Sequence, residues 1–268
     1  MLKKLYKHEF HSLMRSLLPI WAALLGFAVL SRLSFLLDFD NDILNTLKVL
    51  SVTAYVMGIF AVFIVGLVIV VMRFYKNLLT HEGYLTFTLP FTPTQHIICK
   101  LICGVVVIII DFIIVFCSLL ILGAGTEVLG EIFNDIQIAL NTLPRYLSAG
   151  QISLLSLEIG VLMLLSPFQS LLMFYAAMAI GQQFKNKVGG AAIAYICLYA
   201  AVQIISMLMM ALGSLVSLSS MDEINELINN SVTYFSVFML FMIVFSAALS
   251  AVYFVITRHF LTKKLNLE

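Results

Sequence analysis

Three ionisable side chains fall inside long apolar stretches of this 268-residue chain, and these are the residues best suited to bind or move a charged group. They are Arg32, Asp111 and Glu158. A charge in hydrocarbon is costly, so such residues commonly face a partner or a substrate route. Asp111 lies deep in its stretch, and we expect a buried partner or a protonated acid there. Arg32 and Glu158 have two interpretations: they line a route or pair with each other, or they extend to the outer surface.

A second group of residues resembles a metal site in its spacing. His96, Cys99 and Cys103 lie at positions i, i+3 and i+7, which is one face of a helix. However, no fourth ligand is visible, and thiols in apolar helices are usually inert. We therefore predict no metal site and no catalytic residues, and we expect no cofactor to be bound by this chain.

The elements that must position these residues are membrane-spanning helices. Hydrophobic residues make up 62% of the chain and charged residues 11%, which is far from the composition of a soluble domain. Crossing a bilayer takes roughly 20 apolar residues per helix, and runs without period-2 alternation exclude a barrel. Six runs qualify, and we predict spans at Leu17 to Leu37, Val52 to Met72, Leu101 to Gly123, Ile152 to Ile180, Val188 to Leu212 and Val232 to Ile256.

The orientation of these spans follows from the distribution of lysine and arginine, because short basic segments are retained in the cytoplasm. With six spans, both termini, the segment 73–100 and the turn near Lys185 share one side, which holds most of the basic residues. Acidic residues such as Glu131 and Asp135 lie on the other side. We predict that both termini are cytoplasmic and that residues 1–268 form a single transmembrane domain.

Amphipathic segments flank the spans. Before the first span, apolar residues recur at helical spacing opposite Lys4, Lys7 and Arg15, which predicts a helix lying in the inner headgroup layer. The alternative is an ordinary basic flank that sets orientation. Residues 128–140 and 221–228 have a similar pattern with acidic residues, and we predict short amphipathic helices on the outer face.

The segment between spans two and three, RFYKNLLTHEGYLTFTLPFTPTQHIICK, is the most distinctive part of the chain. Thr92-Pro93-Thr94-Gln95 fits a capping box, with Thr92 at N-cap and Gln95 at N3, so a helix is predicted to begin there. The residues before it are too apolar for a free cytosolic linker. The membrane interface or a protein partner must cover them.

This segment, with six spans and an amphipathic N-terminal helix, resembles the permease subunits of bacterial ABC exporters of the second type. The resemblance implies an all-α integral membrane fold with a cytoplasmic coupling helix between spans two and three, located in the plasma membrane. In that family the corresponding loop docks on an ATPase subunit. Carried over by position, the contact residues are Glu82, Gly83, Tyr84, Leu85, Thr86 and Phe87. The alternative is a connector that lies along the membrane.

The resemblance also implies the partners. The chain contains no G-x-x-x-x-G-K-[ST] motif, so ATP and Mg²⁺ are expected on a separate cytoplasmic ATPase rather than here. A second permease copy or a homologous permease would complete the unit within the lipid bilayer, and no nucleic-acid partner is predicted. The expected function is export of an amphiphilic cargo such as a peptide, an antibiotic or a lipid-like molecule. The alternative is a self-sufficient secondary transporter that uses an intramembrane acid such as Asp111.

Overall fold

The chain folds as long α-helices. The computed structural model describes residues 2–36, 42–80, 92–218 and 224–263, and within these ranges all regular structure is helical. The helices are α1 (Leu2–Leu36), α2 (Asp42–Leu79), α3 (Pro93–Gly123), α4 (Glu127–Tyr146), α5 (Ala149–Gly181), α6 (Lys187–Leu218) and α7 (Ile224–Lys263). The prediction of an all-α fold is confirmed.

Six of these helices are long and apolar enough to cross a membrane, and they correspond to the six predicted spans. Large apolar side chains cover their outer faces, for example Phe112 on α3, Met163 on α5 and Met207 on α6. An exposed apolar surface of this extent requires a lipid environment, because water would leave it unstable toward aggregation. The chain is therefore a helical multi-pass membrane protein.

The chain divides into two compact units. The first comprises Met1–Phe74 and Ile98–Asn141, and it holds α1 and most of α2, α3 and α4. Hydrogen bonds join its helices: Ser31 Oγ on α1 donates to the carbonyl of Ser51 on α2 at 2.9 Å, and the hydroxyls of Tyr55 and Ser118 lie 2.9 Å apart between α2 and α3. These polar contacts supplement an apolar core, since each satisfies a group that hydrocarbon would leave unpaired.

The second unit comprises Tyr75–Ile97 and Thr142–Glu268, and it contains α5, α6 and α7. Helix α5 packs against both α6 and α7. A Cβ on Gly181 would lie 2.5 Å from the backbone nitrogen of Ala191, so the end of α5 and the start of α6 approach more closely than any larger residue permits. Further along, Ser246 Oγ on α7 donates to Gln169 Oε1 on α5.

The amphipathic segments are helical, with two differences from the predicted boundaries. Helix α1 runs without interruption from the basic N-terminal segment through Pro19 into the first span, rather than as two helices. Helix α4 is the predicted amphipathic helix, and none of its residues is buried. Helix α7 begins at Ile224, so the described part of segment 221–228 is continuous with the last span. The membrane depth of these segments stays a prediction.

Candidate functional site

A cluster of three charged side chains joins α1, α2 and α3 inside the first unit. Arg73 Nε donates a hydrogen bond to Glu9 Oε1 at 2.8 Å, and Lys100 Nζ donates to the same oxygen at 2.7 Å. Glu9 is 8% exposed and Lys100 is 7% exposed, so both charges are largely removed from solvent. Charge-assisted hydrogen bonds of this length are about twice as strong as neutral ones. The cluster is therefore a strong electrostatic link between three helices.

The local sequence explains why Glu9 turns inward. It lies four residues before Leu13, which is buried, and α1 positions four apart share one face. The basic side chains of Lys4, Lys7 and Arg15 occupy the opposite, exposed arc. The inner arc of the N-terminal segment thus packs on protein, and Cys103 Sγ on α3 lies 4.0 Å from the carbonyl oxygen of Tyr6 on that arc.

The cluster joins the two ends of segment 73–100, which connects spans two and three and is called the central loop below. Arg73 is on the last two turns of α2, which ends at Leu79, and Lys100 is on the first two turns of α3, which begins at Pro93. The predicted capping box is confirmed: Gln95 N donates to Thr92 Oγ1, and Thr92 N donates to Gln95 Oε1 at 3.0 Å. Between these helices, the predicted ATPase-contact residues lie outside the described part of the chain; they are Glu82, Gly83, Tyr84, Leu85, Thr86 and Phe87.

Asp111 lies at a junction of three helices in the first unit. It is buried, and Trp21 Nε1 on α1 donates to its Oδ1 at 2.7 Å. On the other side, a Cβ added to Gly66 of α2 would lie 2.5 Å from Asp111 Oδ2. Gly66 is therefore what makes room for the carboxyl group. The expected buried partner of Asp111 is an indole N–H, which removes one unsatisfied acceptor without adding a countercharge.

Glu158 occupies a different environment, in the second unit. It is 3% exposed and does not extend to the surface. Ser236 Oγ on α7 donates to Glu158 Oε1 at 2.7 Å, whereas Glu158 Oε2 has no hydrogen-bond partner among the described residues. Of the two interpretations of Glu158, extension to the outer surface does not agree with this burial, because α5 turns the side chain toward α7. Its carboxyl group is half satisfied.

Arg32 is half-buried near the turn between α3 and α4, within the first unit. One guanidinium nitrogen would lie 2.9 Å from a Cβ on Gly125, which has a φ of 73°. Glycine suits this position both for its backbone conformation and because the Arg32 side chain occupies the adjacent space. Glu158 has its own partner in the second unit, and pairing between Arg32 and Glu158 stays a prediction.

The suspected metal ligands are close in sequence but do not form a described site. His96, Cys99 and Cys103 are all buried, and both cysteines are free. Across the described ranges, no three His, Cys, Asp or Glu side chains lie close enough together to hold a metal ion. All three side chains are buried in the helix packing.

Sequence reasoning missed several residues of these sites, among them Glu9, Trp21 and Ser236. Glu9 is an acid on the apolar arc of a basic helix, and that mismatch was a usable signal. Trp21 is the single tryptophan of the chain, and a buried indole N–H needs an acceptor. Ser236 has no comparable signal, because serines are frequent in spanning helices and hydrogen-bond their own backbone.

Comparisons with protein-family models, curated proteins and solved structures find no match to this chain.

Proposed function

We propose that this chain is the permease subunit of an ATP-driven exporter in the plasma membrane, and that a separate ATPase docks on the central loop at residues 82–87. The resemblance of segment 73–100 to exporter permeases supports this, together with six candidate spans and the lack of a phosphate-binding motif. A second permease copy or a homologue completes the transport unit. The cargo is an amphiphile such as a peptide, an antibiotic or a lipid-like molecule.

The Glu9 cluster carries this proposal. A loop that transmits movement from an ATPase to the spans must be rigidly connected to them. Otherwise the movement would bend the loop and would not reach the spans. Arg73 and Lys100 lie on the helices that precede and follow the loop, and one oxygen of Glu9 links both to α1. Because the charges are largely buried, separating Glu9 from its two cations would cost free energy. This cost opposes independent movement of α2 and α3. A push on the loop would thereby move α1, α2 and α3 together.

A test of this proposal measures ATPase recovery. The tagged chain is purified from its own membranes in mild detergent, and the eluate is assayed for Mg²⁺-dependent ATP hydrolysis and for P-loop proteins by mass spectrometry. We expect Glu82→Lys and Tyr84→Ala to lower the recovered hydrolysis by about tenfold, as loss of an interface anchor commonly does. Glu127→Lys is the matched control, since it makes the same charge change at an exposed site on α4.

Two outcomes would count against docking at the loop. If both loop variants recover as much ATPase as the parent, the loop is a connector rather than a contact. If no preparation recovers a P-loop protein, and transport instead collapses when the proton gradient is dissipated, the chain is a secondary transporter. The buried acid Asp111 favours that second function, because among the described residues it has one neutral donor, and a carboxyl without a countercharge can take up and release a proton.

A further inference from the structure

The second unit contains a cleft next to its buried acid. The cleft has a volume of about 170 Å³ and lies between the start of α5 and the first part of α7. Its walls are Gly150, Gln151, Leu154, Leu155, Thr233 and Ser236. Ser236 is at once a wall of the cleft and the donor to Glu158 Oε1. A ligand in the cleft is thus one side chain away from a buried carboxyl group.

Glu158 lacks what a buried carboxylate requires. One oxygen accepts from a neutral hydroxyl, the other has no partner among the described residues, and the ion pairs found in the described ranges involve Glu9 rather than Glu158. A buried carboxylate without a countercharge is strongly disfavoured. A cation held in the cleft at Ser236 would supply the missing countercharge.

The cleft favours an organic cation over a metal ion. Calcium takes six to eight oxygen ligands and magnesium an octahedral set, whereas no carboxylate lines this cleft: its polar side chains are Gln151, Thr233 and Ser236, beside two leucines, and the Glu158 carboxyl group lies behind Ser236. An ammonium group needs a few acceptors and tolerates an apolar neighbourhood for its alkyl chain. The volume also suits this ligand, because a cavity of about 150 Å³ lined by apolar side chains accepts a benzene-sized group.

We propose that the cleft between α5 and α7 binds the head of an alkylammonium amphiphile: Ser236 accepts a hydrogen bond from the ammonium, Glu158 supplies the negative charge behind Ser236, and Leu154 and Leu155 contact the chain. As a statement about cargo, this inference rests on the proposed export function. Binding itself does not, because it needs the permease alone. The cleft lies at the ends of α5 and α7 that the charge distribution assigns to the outer side of the membrane, so it would hold cargo in the outer leaflet.

Photolabelling of the purified permease tests the proposal. The probe is decylamine with a diazirine on the chain close to the amine, and labelled peptides are mapped by mass spectrometry. We expect labelling on residues 150–158 and 233–240, prevented by excess decylamine and not by decanol. Glu158→Gln should reduce this labelling by about tenfold or more, because it removes the negative charge behind Ser236 and keeps the shape of the side chain. Asp111→Asn, the same change at the other buried acid, should label like the parent.

A second variant checks the location. Leu154→Trp fills the cleft without altering any charge, and we expect it to abolish the labelling. The proposal is overturned if Glu158→Gln labels like the parent, if decanol competes as well as decylamine, or if Leu154→Trp leaves the labelling intact. Recovery of the ATPase with Glu158→Gln is measured in parallel: loss of labelling with normal ATPase recovery supports the site, whereas labelling without any ATPase leaves the site and removes the export function.

Discussion

Two buried glutamates of this chain have opposite surroundings. In the first unit, Glu9 has two cations on one oxygen, at 2.8 and 2.7 Å. In the second unit, Glu158 has one neutral hydroxyl on one oxygen and no described partner on the other. The first acid is compensated by the protein itself, and the second is not. We infer that the first serves to hold helices together, whereas the second is available to an incoming group.

Asp111 lies between these extremes. Within the described ranges it has one neutral donor, like Glu158, but Trp21 and Gly66 enclose it within the first unit. The three acids therefore differ in whether cations or neutral groups contact the carboxyl group, and in how closely the protein encloses it. That difference can be measured, because replacing a compensated acid should cost stability and replacing an uncompensated one should not.

The largest effect is expected at Glu9. Glu9→Gln keeps the side-chain shape but removes the negative charge that Arg73 and Lys100 share. We expect a loss of about 2–3 kcal/mol in the free energy of unfolding, below the full value for a buried pair because Arg73 is 20% exposed. Thermal unfolding in detergent measures this. Glu131→Gln, an exposed acid on α4, is the control and should unfold like the parent. An unchanged Tm for Glu9→Gln would show that the cluster does not hold the three helices together, which the proposed mechanism requires.

A smaller effect is expected where Gly66 faces Asp111. Gly66→Ala places a Cβ 2.5 Å from Asp111 Oδ2, so the carboxyl group or the helix must shift. Such overpacking costs about 1–3 kcal/mol. In an Asp111→Ala background the same substitution should cost almost nothing, because the colliding oxygen is gone. Gly160→Ala, where a Cβ meets nothing within 4 Å, is the matched control. Equal costs in both backgrounds would show that Gly66 does not serve Asp111.

The local features of this fold could be predicted from the sequence. Six spans follow from the length and hydrophobicity of single segments, and the Thr92 capping box follows from residues three apart. Helix boundaries were less accurate: α2 extends from Asp42 to Leu79, beyond the predicted run, because hydropathy marks the hydrocarbon depth and not the ends of a helix.

The partners of the buried acids could not be predicted, because each is distant in sequence. Trp21 and Asp111 are 90 residues apart, Glu9 and Lys100 are 91 apart, and Glu158 and Ser236 are 78 apart. Hydrophobic periodicity gives the face of a helix but not which helix it meets. Arg73 and Lys100 were assigned to membrane orientation, since a basic residue at the end of a span has the same sequence pattern whether it faces solvent or a carboxylate.

The smallest effect is expected at Glu158, where it gives the sharpest test of the comparison. Glu158→Gln retains an oxygen that accepts from Ser236 and replaces the unpartnered oxygen with a neutral amide, so no stabilising charge pair is lost. We expect the free energy of unfolding to stay within about 1 kcal/mol of the parent, or to rise, because a buried charge without a countercharge is removed. Thermal unfolding beside Glu9→Gln measures the difference directly. If Glu158→Gln lost as much free energy of unfolding as Glu9→Gln, Glu158 would already be compensated within the protein. The cleft would then offer a cation no uncompensated negative charge.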